Sequence, residues 1–325
     1  MVKRRSNELN IEELTKVQSV LPTGNLTVSE AVELFIEDCE VRNLREHTIK
    51  YYRNEFNAFM VLLSRQGVEL NIGAITAQVI TNNVIKAMQG ANIKPVSINT
   101  RLTALKALFN WLHKKRYIKR NPMDEVSKLR ERKEVIETFT VKQIEELLNA
   151  CNLRTFTGVR DYTILLLFIE TGVRVNELAG IAVNDIDFSN GNIRIRNAKS
   201  YRERLVPIQA RMKEQLRKYL AIRGNAVTDS LFITLDGTAL SKRQIQSRVS
   251  EYGKKAGIKG VRCSCHTLRH TFAKLCVLNG ANAFQLMSIL GHTTLEMTKV
   301  YVNLFSSEVA EGHKKFSPLN SLKRK

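Results

Sequence analysis

Apolar residues recur at spacings of three and four through most of this chain, and short polar clusters cut the pattern into segments. Thr27-Val28-Ser29-Glu30 has the form of a capping box, and Val32, Phe35 and Ile36 follow on one helical face. A second helix is predicted from His47 to about Gln66, striped by Tyr51, Phe56, Phe59, Met60 and Leu63, and a third from Thr76 to Met88. A fourth starts after Pro95. It turns Ile98, Leu102, Leu105, Leu108, Phe109 and Leu112 one way and Arg101, Lys106 and Lys114 others. Four amphipathic helices with short connections predict a bundle over residues 26–120, ending in the basic clusters Lys114-Lys115-Arg116 and Lys119-Arg120. Residues 1–25 precede it as a polar, flexible arm.

The rhythm then fails. Residues 121–138 carry nine charged side chains and almost no apolar period, which predicts a linker. A second domain over 139–325 opens on another capping box, Thr140-Val141-Lys142-Gln143, with a helix to about Cys151. A strongly apolar helix follows from Val159 to Thr171, and Gly172 stops it. Over 186–208 the period drops to two. Asn192-Ile193-Arg194-Ile195-Arg196 alternates, Arg204-Leu205-Val206-Pro207-Ile208 reads as its partner strand, and Lys199-Ser200-Tyr201 supplies the turn between them. Helices resume from Ile208 and again from Ser241. The predicted fold is mainly α with a small antiparallel β-sheet, in two domains, as 325 residues allow.

Charge narrows the partner. Lys and Arg number 51 against 31 Asp and Glu, a net +20, and a long polyanion such as double-stranded DNA is the simplest counterpart. No apolar run is long enough to span a bilayer, and Lys3-Arg4-Arg5 is not followed by the apolar stretch of a signal peptide. The sequence therefore predicts a cytoplasmic protein with no membrane partner. Its five cysteines, odd in number and scattered, read as reduced thiols rather than a disulfide framework. Cys263-Ser264-Cys265-His266 is too tightly spaced for structural zinc and lacks a second ligand pair, so neither metal nor cofactor is expected.

The candidate chemistry lies in the second domain. His266 and Arg269 are three residues apart on a predicted helix and share a face, so both can approach one anion. His292 follows some two dozen residues on, and Tyr301 nine residues after that. Arg174 stands just past the buried helix, where Glu177 can hold its guanidinium; a plain surface ion pair would explain those two as well. A lone His or Tyr is usually a packed side chain. Order and spacing together make these a candidate grip on a phosphodiester, with a phenol as nucleophile. For DNA contacts outside the pocket, the helix from Ser241 offers Lys242, Arg243, Gln244 and Arg248, and the bundle offers Lys50, Arg53, Arg101 and Lys106.

Five segments resemble tyrosine recombinases, the phage-integrase and Xer-like family. They are Thr-Gly-Val-Arg-Val-Asn-Glu-Leu at 171–178, Lys199 leading into Arg-Glu-Arg-Leu-Val-Pro at 202–207, His-Thr-Leu-Arg-His-Thr-Phe-Ala at 266–273, Leu-Gly-His at 290–292, and Tyr301. They fall in the family's order with matching gaps, and the resemblance covers residues 27–325, with the bundle similar to a core-binding domain. It implies a catalytic domain of the DNA breaking-rejoining fold. Arg174 and Arg269 would clamp the non-bridging oxygens of the scissile phosphate, and Lys199 would protonate the departing 5′-oxygen. His266 would handle the proton of the attacking tyrosine, His292 would hydrogen-bond the phosphate, and Tyr301 would form a 3′-phosphotyrosyl link without metal or ATP. It further implies a dimer at each site and a tetramer on two duplexes. In the family a tail such as 306–325 often docks on a neighbouring protomer, although by composition alone the segment reads equally as a disordered basic tail. The setting would be the bacterial nucleoid, and the task the integration or transposition of a mobile element. A type IB topoisomerase-like enzyme and a non-catalytic DNA-binding regulator of the same fold are the rivals. Where the family often has Gly on both sides of the hairpin Lys, this chain has Ala198 and Ser200, and Arg202 and Arg204 stand near enough to compete for its role. His270 projects about 100° away from Arg269 and reads as packed. Tyr201 and Tyr252 are competing nucleophiles in principle.

Overall fold

The first predicted cap forms reciprocally. Thr27 N–H donates to Glu30 Oε2 at 2.9 Å and Glu30 N–H donates to Thr27 Oγ1 at 3.2 Å, opening helix α1 (Val28–Val41). This computed structural model describes residues 26–131, 137–196 and 203–291; Lys199, His292 and Tyr301 lie outside them. The chain divides into two units, one up to Glu134 and one from Val135 onward.

In the first unit, α1 packs on α2 (Glu46–Ser64) and α4 (Pro95–Lys114), as the apolar stripes require. Phe35 lies edge-on to Tyr52, Phe56 and Trp111 in the middle of that core. The third predicted helix, α3, runs over 77–90 with a π-helical centre at Ile80–Lys86. Gln66 accounts for the irregularity: its side-chain amide donates to the Asn83 carbonyl at 2.8 Å and accepts from Asn83 Nδ2 at 3.1 Å.

The predicted linker starts later than its charge suggests. Asn121 and a 3₁₀ turn at Pro122–Asp124 fold back on the bundle, with Met123 only 2% exposed. Val126 and Leu129 pack on the same core. Buried Asn99 clasps the strand-like segment behind them: its Nδ2 donates to Leu129 O at 2.9 Å, and Leu129 N–H donates to its Oδ1 at 2.8 Å. The apolar residues 123, 126 and 129 recur every third position, a sparse period that nine charges concealed. The first unit thus holds its chain as far as residue 129, and the second already anchors Phe139, whose N–H donates to Thr271 Oγ1 at 2.9 Å.

The second unit is built round α6 (Phe156–Thr171), whose Ile164 to Phe168 run is buried as its composition demands. Ahead of it stands α5 (Val141–Asn149), capped by Thr140 and Gln143 as predicted. After Gly172 comes α7 (Val175–Ala179), then a three-stranded antiparallel sheet in the order β1 (Ile186–Asp187), β2 (Asn192–Ile195), β3 (Arg204–Pro207). Ile193 opposes Val206 and Ile195 opposes Arg204, so the two segments pair as partner strands, as their alternation predicts; β1 was hidden in what reads as turn chemistry. Helices α8 (Ala210–Arg223) and α10 (Cys265–Leu278) pack on α6, α9 (Lys242–Lys255) packs on α5 and α7, and α11 (Ala283–Leu290) lies on α10 and β3. Among the described residues no helix is long and apolar enough to cross a membrane.

If the docked 121–131 segment belongs to the first unit's core, Met123→Ala should destabilise it by about 2–5 kcal/mol, as for other buried Met truncations. Denaturant unfolding followed through Trp111 checks this. A loss below about 0.5 kcal/mol is what a surface residue would give and contradicts the docking.

Candidate active site

The end of α11 gathers the predicted cations. Gly291 caps the helix with φ at 63°, and the last carbonyls, which have no partner within the helix, point toward the unit's interior side chains. Arg269 Nη2 donates to Leu290 O at 2.9 Å, and Arg174 Nη1 reaches the same oxygen at 3.3 Å. Arg174 also reaches Gly291 O at 3.5 Å through both terminal nitrogens. Two guanidiniums from distant parts of the sequence therefore meet at one oxygen atom, where the helix dipole presents its negative end. Their positions differ in exposure: the Arg174 side chain is 33% exposed, and Arg269 is buried.

Local sequence explains how each is held. Gly172 ends α6 in the left-handed region at φ 59°, and a Cβ there would lie 2.3 Å from the Phe272 ring. The bare glycine lets α10 approach closely enough for Arg269 Nη1 to donate to Gly172 O at 2.7 Å. Arg174 follows two residues later in extended conformation, ahead of α7. Its N–H donates to Glu177 Oε2 at 2.8 Å and its Nη1 to Glu177 Oε1 at 3.0 Å, so the predicted Arg174–Glu177 pair forms, buried at its carboxylate end.

Arg204 is the residue whose part the sequence reading missed. From β3 it grips both oxygens of Glu177, Nη1 to Oε1 at 3.0 Å and Nη2 to Oε2 at 2.8 Å, and donates Nε to Ile289 O at 2.8 Å. The signal was available, since the period of two that turns Val206 into the core turns Arg204 the same way. Burial is the strongest influence on Glu177 and favours its neutral form. The Arg204 bonds, the Arg174 amide and both positive charges together outweigh it and hold the carboxyl below its ordinary range.

His266 stands in the first turn of α10, exposed and three residues before Arg269, where Ser264 caps the helix by accepting from Thr267 N–H at 3.2 Å. It borders an open cavity of about 570 Å³ whose wall includes Gln246, Lys254 and Arg262. His270 packs inward, and burial, aided by His266 and Arg269, holds its pKa below the usual histidine range. Burial also pushes the Cys265 thiol up to about 12, so this neighbour of His266 is a protonated, packed thiol.

Not all of the predicted contact residues present a free charge. Arg248 donates Nε to buried Asp161 at 2.7 Å and pairs with Glu251 and the Tyr252 hydroxyl. Arg53 pairs with Glu33 and Glu40, and Arg101 with Glu55 at 3.0 Å. Gln244 uses its Oε1 in the cap of α9, accepting from Ser241 N–H at 2.9 Å. Lys50, Lys106, Lys242 and Arg243 are exposed. Tyr252 is buried, its phenol pushed up to about 12 chiefly by that burial, which suits a structural residue and not a nucleophile.

The phage integrase family matches residues 137–308, more than half of the chain, and that family's N-terminal SAM-like domain matches residues 32–116. The chain belongs to the phage integrase family. It is a tyrosine recombinase, an enzyme that cleaves and rejoins DNA. A protein called tyrosine recombinase XerC in Syntrophus aciditrophicus is 34% identical over 274 residues, covering 80% of this chain and 88% of its own length. One of the same name in Thermodesulfovibrio yellowstonii is 30% identical over 286 residues, covering 84% and 91%. Among solved structures, the Tn1549 transposon integrase in complex with transposon right end DNA is similar with a TM-score of 0.72 at 20% identity, over 90% of this chain and 100% of that one. The XerH site-specific recombinase bound to a difH substrate gives 0.71 at 19% identity, over 89% and 84%. These likenesses establish the fold of the tyrosine recombinase, mainly helical with its small antiparallel sheet.

The Glu177 carboxylate gives a pH signature. Its pKa is lowered by folding, so its stabilisation is complete above the unfolded value of about 4.5 and is lost as pH falls through the lower folded value. Glu177→Gln, which leaves two arginines facing a neutral amide, should destabilise the second unit by about 3 kcal/mol. The difference from the parent should stay constant from pH 8 to about pH 5.5 and shrink only below the ordinary carboxylate range. Denaturant unfolding of both proteins across that range measures it; a difference that already shrinks near pH 6.5 would point to a histidine instead.

Proposed function

We propose that this tyrosine recombinase acts at specific DNA sites, with Arg174, Lys199, His266, Arg269, His292 and Tyr301 as its reacting set. The observation that carries the reading is the meeting of Arg174 and Arg269 on the carbonyl of Leu290, two residues before His292 in the chain. Phosphoryl transfer asks the protein chiefly for in-line positioning and positive charge round the equatorial oxygens, and two guanidiniums at one point supply that charge. Tyr301 Oη attacks phosphorus, forming the 3′-phosphotyrosyl bond as the bond to the 5′-oxygen breaks. Its proton passes to His266, and Lys199 delivers one to the departing 5′-oxygen. A 5′-hydroxyl then reverses the sequence on the same or another strand, so the phosphodiester energy is conserved and neither metal nor nucleotide enters the balance.

Exposed Lys50, Lys106, Lys242 and Arg243 are the favoured phosphate contacts, and the outward face of α9 the favoured reader of base edges. A dimer at each site and a tetramer on two duplexes complete the assembly; a lambda integrase tetramer bound to a Holliday junction supports that arrangement by its likeness in fold. Relatives named tyrosine recombinase XerC, matching over 80% and 84% of the chain at 34% and 30% identity, favour a recombinase of that kind. Integration or transposition of a mobile element is the second reading, favoured by the fold shared with the Tn1549 integrase. Recombination tested on the DNA that flanks the encoding gene separates the two, and plasmid relaxation with and without that DNA separates both from a topoisomerase or a silent DNA-binding protein.

Tyr301→Phe should abolish the covalent adduct on a nicked suicide substrate while leaving DNA binding nearly intact. An adduct persisting on a denaturing gel would refute the nucleophile. Arg174→Ala and Arg269→Ala should each slow cleavage on the order of 10²–10³-fold, with EDTA having no effect.

Lys199→Ala should lose cleavage of an ordinary phosphodiester yet keep it when sulfur replaces the 5′-bridging oxygen, because a thiolate departs without a proton. Arg174→Ala should show no such rescue. Equal defects of Lys199→Ala on both substrates would reduce Lys199 to a phosphate contact.

A further inference from the structure

We infer that Arg204 is a positioning residue of the recombination centre: from strand β3 it fixes Glu177, and through it Arg174, to the C-terminal turn of α11. The inference deepens the proposed function and rests on it. Each oxygen of Glu177 is shared. Oε1 accepts Arg174 Nη1 at 3.0 Å and Arg204 Nη1 at 3.0 Å; Oε2 accepts the Arg174 amide at 2.8 Å and Arg204 Nη2 at 2.8 Å. Every contact between Arg174 and Glu177 therefore passes through an oxygen that Arg204 also holds. The remaining guanidinium nitrogen, Nε, donates to Ile289 O at 2.8 Å, one residue before the carbonyl on which Arg174 and Arg269 meet. Arg204 is itself nearly buried, its side chain 13% exposed, so it has little surface of its own to offer a phosphate.

Two consequences follow from charge and shape. With Glu177 as its sole partner, Arg174 would be a neutralised pair and a poor clamp for an anion. A second guanidinium on the same carboxylate satisfies it, and the positive charge of Arg174 stays available. The shape argument concerns Gly291, where a Cβ would stand 2.8 Å from Arg204 Nη1. A side chain at this left-handed position would be strained and would push the Arg204 guanidinium from its place. Arg204 also opens β3, opposite Ile195, so the first residue of that strand and the cap of α11 are tied to one guanidinium.

The test separates positioning from plain stability by altering the charge that Arg174 meets. Replacing one non-bridging oxygen of the scissile phosphate by methyl gives a neutral methylphosphonate, on which a charge clamp matters less. On ordinary suicide DNA, Arg204→Ala should slow adduct formation on the order of 10²-fold, with binding affinity changed by less than about threefold. On the methylphosphonate the defect should shrink at least about tenfold, as it should for Arg174→Ala. Arg204→Lys, which keeps the charge but cannot span two carboxylate oxygens and a carbonyl, should be only partly restored on phosphodiester and restored further on methylphosphonate. That variant also carries the test if Arg204→Ala fails to fold. Equal defects on both substrates, or no defect in either variant, would overturn the positioning role. If the parent protein itself forms no tyrosyl adduct on either substrate, the proposed function fails and this inference fails with it.

Discussion

The carbonyl-bearing end of helix α11 is the constraint on which the second unit depends. A helix terminus leaves oxygens without partners, and here Ile289, Leu290 and Gly291 find them in Arg204, Arg174 and Arg269. The three arginines come from a strand, a turn and a helix that are remote in sequence. Each would repel the others in an apolar interior, and the negative end of the helix dipole with the carboxylate of Glu177 makes their proximity tolerable. Among the described residues, one carboxylate against three guanidiniums leaves the group cationic. That residual charge is the property a phosphodiester enzyme needs, and the same interactions that stabilise the fold also keep it concentrated in one place.

Glycine makes the approach possible at two points. Gly172 lets α10 press on the end of α6, where Phe272 occupies the space a methyl would fill, and Gly291 lets the α11 cap close on Arg204. Both sit in the left-handed region, where other residues are strained by about 1–3 kcal/mol. The site is thus set by backbone contacts as much as by side chains: Arg269 is held by two carbonyls, of Gly172 and Leu290, among its partners.

Much of this was legible in the sequence, and the failures have physical reasons. The capping boxes at Thr27 and Thr140, the buried run in α6 and the β2–β3 register follow from local rules that act over a few residues. The Arg174–Glu177 pair was foreseen for the same reason, being one helical turn apart. Arg204 was seen only as a rival to Lys199, because its partners Glu177 and Ile289 are 27 and 85 residues away and only the tertiary fold brings them together. The docked segment 121–131 reads as linker in the sequence because its charge density masks Met123, Val126 and Leu129. Arg53, Arg101 and Arg248 read as free cations because Glu33, Glu55 and Asp161, which meet them, are remote in sequence, although Glu251 stands one helical turn from Arg248.

Arg248 has a wider meaning for how α9 faces the outside. Asp161, buried on α6 and already bonded by Arg160, acts on α9 as an index pin acts on a shaft: by capturing the one inward arginine it sets the helix's angle about its own axis. Ile245, Val249 and Tyr252 fill the same side, but apolar contacts alone permit small rotations that a charged, directional bond does not. A side-chain tip lies about 5 Å from a helix axis, so a rotation of about 20° displaces it by about 2 Å. Hydrogen bonds to a base edge tolerate only a few tenths of an ångström. The accuracy with which Lys242 and Arg243 would make the contacts proposed for them is therefore decided on the opposite side of the helix, by the buried carboxylate of Asp161.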